Sequence, residues 1–375
     1  MDTLTTPCLL LDSDVLYRNI DRMAARALAL GVALRPHLKT PKSASVAKLL
    51  QIAGACGYTV STLHEAEYFF AAGFDDLFCA VPADGAKARR AVAMLRDGKR
   101  LSLMIDNLEA ARQLHRVAVE SGVIIQVWIE IDVDHYRTGI SPESDGFAQL
   151  LAFVGADDGL SLAGIMSYAG ASYGCDGAAA TADLSERHRQ ALLYAADQTV
   201  RAGLARPRLS FGSTPAVLHA RTLAGVDEVR CGIYAFQDLF QAGIGACNIS
   251  DIALSVLATV IGHNPSLNRF VIDAGGLALS KDRSTRGRLF DAGYGLVCDA
   301  ASGKPLGDLQ VTGVSQELGL VSSPSGAPLN FAELPIGSRV RVLPNHSDMT
   351  AAAYEEYHVI SEHQAPTIWR RTNGW

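Results

Sequence analysis

Leu34-Arg35-Pro36-His37-Leu38-Lys39-Thr40 sets a lysine where a short apolar strand runs out into loop. A lysine is ordinarily a solvated surface charge. At the end of a strand that lines a closed sheet, the same amine is placed to act as a nucleophile on a carbonyl compound. The fold around it decides between these readings. Working outward, β-rich runs fall near 32–37, 57–61, 77–81, 101–105, 124–131, 162–168, 208–211 and 228–231. Amphipathic stretches separate them, such as 14–30, 107–121 and 181–203, with apolar residues recurring three and four apart. This alternation predicts an α/β fold, an N-terminal TIM (β/α)8 barrel of parallel strands. A doubly wound open sheet is the alternative, but no GxGxxG opens the first helix.

Beyond about Gln241 strands follow one another without helices: Ile252 to Ile261, Arg269 to Asp273, Leu309 to Val314 and Arg339 to Leu343. Gly, Pro and Asn turns divide them, which predicts a C-terminal all-β domain. The opening Thr6-Pro7-Cys8-Leu9-Leu10-Leu11-Asp12 also reads as a strand. The expected organisation is therefore 1–20 as a strand joining the β domain, 21–245 as the barrel and 246–375 as the β domain.

The chain of 375 residues is 49% hydrophobic and 19% charged, enough for a large core beside a smaller one. Its net charge of -6 is spread without basic blocks, so nucleic acid and anionic membrane are poor partners and a small molecule is the better one. Seven scattered cysteines without a CxxC pair fit reduced thiols. With no apolar run approaching eighteen residues and no basic leader, the expected compartment is the cytoplasm.

A TIM barrel builds its active site at the C-terminal ends of its strands. Strand one ends in His37 and Lys39. Strand five leads into Asp132 and the loop Asp134-His135-Tyr136-Arg137-Thr138-Gly139; strand six ends in Tyr168, followed by Ser172 and Tyr173. Strand seven gives Gly212-Ser213-Thr214-Pro215 and strand eight Gly232-Ile233-Tyr234. The last two loops commonly bind phosphate through backbone N–H groups and a helix start. Gly-Ser-Thr-Pro is otherwise a capped turn, and its place after strand seven favours phosphate. A lysine and a phosphate cradle on one rim describe a site for pyridoxal 5′-phosphate (PLP). Lys42 competes for the covalent role, but it lies beyond Pro41, near the first crossover helix, so Lys39 is preferred.

In the β domain, Arg339-Val340-Arg341-Val342-Leu343 alternates as a strand and runs into Pro344-Asn345-His346-Ser347-Asp348. An extended chain there projects His346 and Asp348 to one side. An imidazole with a carboxylate suits Mn2+, Mg2+ or Zn2+ and leaves coordination positions open. HxD is a common spacing and needs independent support.

Taken together these segments resemble the alanine-racemase-type family of PLP enzymes, fold type III, in the branch of D-threonine aldolases, D-serine dehydratases and 3-hydroxyaspartate dehydratases. The resemblance runs over nearly the whole chain: Thr6-Pro7, Arg35-Pro36-His37 with Lys39, Glu65-Ala66-Glu67, Arg137-Thr138-Gly139, Gly212 to Pro215, Val229 to Tyr234 and Pro344-Asn345-His346. It implies a homodimer with Lys39 bonded to PLP and Arg137 at the cofactor's phenolic oxygen. Ser213, Thr214, Gly232 and Ile233 would hold phosphate. Tyr168 and Tyr234 would lie near the cofactor, with His37 and Tyr168 joining Lys39 among catalytic candidates. His346 and Asp348 would bind the divalent metal.

Departures bear on the reaction. Dehydratases of this branch show His-x-Cys at the metal, whereas Asp348 resembles the aldolase pattern, as does Tyr168. Ala171-Ser172-Tyr173-Gly174 is nearer the dehydratases. Pro41 stands where a His is frequent, as does Leu318. The expected activity is a lyase on a β-hydroxy-D-amino acid, with retro-aldol cleavage to glycine and an aldehyde preferred on the strength of Asp348. Dehydration to a keto acid and ammonia is the alternative. A racemase has no need of His346 and Asp348, and a non-catalytic PLP carrier has no need of the large β domain.

Overall fold

In a computed structural model of the chain, residues 3–135, 137–156, 158–362 and 365–375 are described. Tyr136, in the loop after strand five, lies outside them. Two compact units emerge. One comprises Asp21–Gly232 with the last two residues; the other comprises the chain up to Ile20 and Ile233–Asn373. The first unit therefore gives way to the second after Gly232, ahead of the expected residue 245, and Ile233 and Tyr234 open the β unit.

The barrel expected from the alternation is present. Eight parallel strands run in the order Ala33–Leu34, Glu228–Val229, Arg208–Gly212, Leu160–Tyr168, Ile125–Ile131, Arg100–Ile105, Asp76–Pro82 and Tyr58–Val60. A parallel bridge between His37 and Thr59 closes the ring, with Leu38 N–H donating to Thr59 O at 2.7 Å. Thr62, Asp84, Asn107 and Ser144 cap four crossover helices, each side chain accepting from the N–H three residues on. Each cap contributes about 1 kcal/mol. Phe78, Met104, Trp128 and Met166 pack together inside the barrel, with Phe78 stacked on Trp128 at 5.2 Å. Gly164 faces that indole so closely that an added Cβ would stand 2.3 Å from it.

The interior also holds charge. Glu228 is fully buried and accepts from Arg35 Nε (3.0 Å to each oxygen), Arg208 (2.5 Å) and Ser210 Oγ (2.8 Å). Arg35 reaches Asp76 as well, at 2.7 Å. Burying such groups is costly without this degree of pairing.

In the other unit a nine-stranded sheet runs Arg269–Ile272, Gly319–Ser322, Pro305–Val314, Leu296–Asp299, Arg339–Leu343, Leu254–Asn264, Cys8–Asp12, Glu356–Ile360 and Thr367–Arg370. Arg269–Ile272 also pairs with Leu254–Asn264, which closes six of these strands into a ring. Cys8–Asp12 joins this sheet, antiparallel to Leu254–Asn264 and parallel to Glu356–Ile360. The expectation of strands alone is corrected by short helices at Leu239–Gly243, Gly276–Leu279 and Ser347–Ala351. They are too short to show a helical apolar period. Among the described residues all the cysteines are free, and no helix is long and apolar enough to cross a membrane.

Candidate active site

The C-terminal rim of the barrel is held in register by backbone bonds. His37 N–H donates to Cys231 O (2.8 Å), Arg230 N–H to Phe211 O (2.7 Å) and Ala169 N–H to Gly212 O (2.7 Å). Tyr168 pairs with Gly212 across neighbouring strands. These contacts bring 37–40, 168, 211–214 and 230–232 together. Gly232 fits tightly: an added Cβ would sit 3.1 Å from the Cβ and carbonyl oxygen of His37. At Gly212 it would sit 3.2 Å from Arg230 Nη2.

The two lysines separate clearly. Lys42 Nζ is 3.1 Å from the buried carboxylate of Glu65, whose other oxygen accepts from Ser61 N–H at 2.9 Å. Lys39 has no ion-pair partner among the described residues. Its N–H donates to His37 Nδ1 at 3.3 Å, which leaves the ring proton on Nε2, 3.4 Å from Ser61 Oγ. Burial, then the positive charges of Lys39, Arg230 and Arg137, hold the His37 imidazole well below its ordinary value. A neutral histidine among three cations marks a rim that favours an anion.

Arg137 lies over the Tyr168 ring at 4.6 Å and 3.6 Å from Glu130. Burial raises the Glu130 carboxyl, eased by Thr138 Oγ1, which donates to it at 2.5 Å, and by Arg137. Ser213 caps the helix Thr214–His219, its Oγ accepting from Ala216 N–H at 3.3 Å and lying 2.8 Å from Ser172 Oγ. The sequence places Ser172 on this rim without a role and does not single out Arg230 or Glu130. Arg230 is buried, donates to Ser210 Oγ (2.5 Å) and Ser167 O (3.0 Å), and is lowered to about 10 by burial. Arg230 directly follows the strand Glu228–Val229, and a second charged residue there gave no sign of being buried.

These residues fit PLP. A lysine without an acid partner, a cationic rim, and the buried hydroxyls Thr40 Oγ1 and Ser167 Oγ with no hydrogen-bond partner among the described residues all call for a polar, anionic guest.

In the β unit the sequence reading needs a correction. The chain does not stay extended past Leu343: His346 precedes a short helix, Ser347–Ala351, so Asp348 sits in its first turn. Alternation is thus not what relates the two side chains. Around His346 stand Asp282 (Nδ1 to Oδ2, 3.8 Å), Asp348 and Asp238, and against the pull of burial they raise the imidazole to about 9. Asp238 is fully buried and raised to about 7 by that burial, although Gln241 N–H (2.8 Å) and Ser347 N–H (3.2 Å) donate to it. Asn345 fixes the approach, donating to Asp282 O (2.9 Å) and Gly293 O (2.7 Å) and accepting from Thr285 Oγ1 (2.8 Å). Among the described residues no group of three or more His, Cys, Asp or Glu donors is gathered for a metal. The donor chemistry nevertheless suits a cation, because Asp348 Oδ1 is buried with no hydrogen-bond partner among the described residues.

Comparison with known proteins places both units. Residues 11–239 match the family model for the alanine racemase N-terminal domain, and 253–360 match that for a putative serine dehydratase domain. The D-threo-3-hydroxyaspartate dehydratase of Delftia sp. (strain HT23) is 42% identical over 100% of this chain and 98% of its own. The D-serine dehydratase of Dictyostelium discoideum is 30% identical over 100% and 98%. The 3-hydroxy-D-aspartate aldolase of Paracoccus denitrificans (strain Pd 1222) is 27% identical over 98% and 91%. The solved Delftia structure superposes with a TM-score of 0.96, covering 100% of this chain and 99% of that one. Solved variants of it include a histidine-to-alanine change and, in the metal-free form, a cysteine-to-alanine change two positions further on, the spacing of His346 and Asp348.

Proposed function

Because the chain belongs to the alanine-racemase-like family of fold-type III PLP enzymes and is a PLP-dependent lyase, we propose that it dehydrates a β-hydroxy-D-amino acid, a 3-hydroxy-D-aspartate foremost. One observation carries this: the 42% relationship to a hydroxyaspartate dehydratase runs end to end, through the barrel rim and the His346 turn alike. The narrower preference for aldol cleavage, drawn from Asp348 alone, gives way to it.

PLP, when bound, supplies an electron sink for the pair released at the substrate Cα. Lys39 would hold it and, once displaced by the substrate amine, would serve as base for the Cα proton, while neutral His37 accepts from the Lys39 backbone N–H and positions that segment. Arg137, which lies over Tyr168, would meet the phenolic oxygen. Ser213 and Thr214 with the backbone of Gly232 and Ile233 would hold phosphate, and Tyr234 follows directly in the chain. A divalent cation held by His346 and Asp348 would supply a Lewis acid for the β-hydroxyl; Mn2+, Mg2+ and Zn2+ are the candidates. A homodimer in the cytoplasm belongs to the same proposal and is checked by light scattering and cell fractionation.

Aldol cleavage is the second reading, favoured by Asp348, a carboxylate at the spacing where the dehydratase variant loses a cysteine. Incubation with threo and erythro 3-hydroxyaspartate, D-serine and D-threonine, with products identified by mass, decides. Keto acid plus ammonia supports dehydration. Glycine plus an aldehyde overturns it in favour of the aldolase.

A further inference from the structure

We propose that His188 is a positioning residue that sets Arg137 for the cofactor by clamping the tip of the Asp132–Gly139 loop to the long helix Gly177–Arg201. His188 Nε2 donates to Asp134 Oδ2 at 2.7 Å, and the two side chains are 1% and 5% exposed. The remaining ring nitrogen, Nδ1, is buried with no hydrogen-bond partner among the described residues.

The loop's feet are already tied. Asp132 N–H donates to Ile140 O and Ile140 N–H to Glu130 O, both at 3.0 Å. Gly139 makes this neck possible: its φ is +117°, and an added Cβ would stand 2.6 Å from Asp132 N. Such a neck fixes where the loop leaves the sheet, but not where its tip lies. Thr138 Oγ1 donates to Glu130 and His135 N–H to Asp132 Oδ1 within the loop, while Asp134, three residues before Arg137, bonds the tip to the helix.

The helix also grips the loop after the next strand but one with the same face, since Ile125–Ile131 and Arg208–Gly212 both flank Leu160–Tyr168. Thr181, Ser185, His188 and Leu192 follow one another on its buried stripe at three- and four-residue spacing. Ser185 Oγ donates to Ala216 O at 2.8 Å, inside the helix that Ser213 caps. The His188 ring also packs on Phe211, with centroids 5.8 Å apart, one residue before Gly212. One face of one helix therefore holds both the loop bearing Arg137 and the turn bearing Ser213 and Thr214. A buried carboxylate–imidazole pair is a poor way to gain stability, since desolvation offsets the attraction. What it supplies here is a fixed spacing.

The proposal rests on assigning Arg137 to the cofactor. His188→Leu, His188→Gln and Arg137→Ala are compared with the wild-type holoenzyme by three measurements: hydrogen exchange of peptide 132–140, the PLP dissociation constant by dialysis, and the pH midpoint of the bound cofactor's visible band. His188→Leu is expected to speed exchange and weaken PLP binding about tenfold each, the loss of one charge-assisted hydrogen bond, and to move the midpoint in the direction that Arg137→Ala moves it. His188→Gln, whose amide reaches Asp134, restores all three. A folded His188→Leu protein with wild-type loop exchange overturns the clamp. So does a loosened loop with dissociation constant and midpoint unmoved. If Arg137→Ala leaves the midpoint in place, the cofactor assignment itself fails, and the positioning role with it. Should His188→Leu not fold, Asp134→Ala breaks the same bond from the loop side and is read in the same way.

Discussion

His37 in the barrel and His346 in the β unit are displaced in opposite directions by their neighbours. The first is held well below its ordinary value by burial and by Lys39, Arg230 and Arg137. The second is raised to about 9, against burial, by Asp282, Asp348 and Asp238. Charged neighbours add to the effect of burial at the first imidazole and outweigh it at the second, positive in one region and negative in the other. A rim carrying Lys39, Arg137 and Arg230 suits a phosphate and a carboxylate; a turn rich in carboxylates suits a cation. Each half of the proposed chemistry is thus marked by the charge it lacks.

The comparison is broken most severely at Lys39. Lys39→Ala is expected to abolish the visible band of bound cofactor and lower turnover by about 10^4-fold or more. Lys42→Ala keeps the band, and instead costs on the order of 3 kcal/mol in denaturant unfolding because Glu65 is left buried without its partner. A band that survives the first substitution and vanishes in the second would exchange their roles.

The next effect belongs to the acidic turn. Asp348→Ala, or exhaustive chelation of the wild type, should reduce turnover by about 10^3-fold through loss of a Lewis acid while PLP stays bound. Metal analysis together with absorbance checks both halves. Full activity in metal-stripped protein would remove the cation from the proposal.

Beneath the rim, Glu228 offsets part of the barrel's positive charge. Glu228→Gln leaves buried Arg35 and half-exposed Arg208 facing a neutral amide, and an unfolding free energy lower by on the order of 3 kcal/mol is expected. An unchanged denaturation midpoint would mean that the arginines find other partners and that the rim's excess charge is not set from below.

The two regions were not equally legible in the sequence. Barrel strands declare themselves by alternation with helices, and in a closed parallel sheet the residue ending each strand is thereby assigned to one rim. Lys39, Tyr168, Ser213 and Gly232 could be listed for that reason. The turn at His346 depends on where a strand stops and a helix of five residues starts, which no periodic pattern announces, so the inferred alternation of His346 and Asp348 was mistaken. Asp238 and Asp282 lie 108 and 64 residues from His346 along the chain (346 - 238 and 346 - 282), and only folding makes them its neighbours. Arg230 and His188 were illegible for a related cause. A buried charged residue looks in sequence like a solvated one until its partners are known.

The smallest effect is a slope. For His37 the folded value lies below the ordinary 6.5 of the unfolded chain, so above pH 6.5 neither state binds the proton and nothing is lost. As pH falls below 6.5 the unfolded chain takes up a proton that the native state refuses, and stability declines until the folded value is reached. The full slope for one proton is about 1.4 kcal/mol per pH unit. His37→Asn removes that group, so between pH 6.5 and 5 the cofactor-free variant should lose stability less steeply than the cofactor-free wild type, in urea unfolding at each pH. Parallel curves would show that the imidazole takes its proton in the folded protein as readily as in the unfolded one, and the contrast with His346 would then rest on a single side. A shallower curve for the variant ties the burial of His37, together with the nearby cations, to a measurable property of the protein, independent of any turnover.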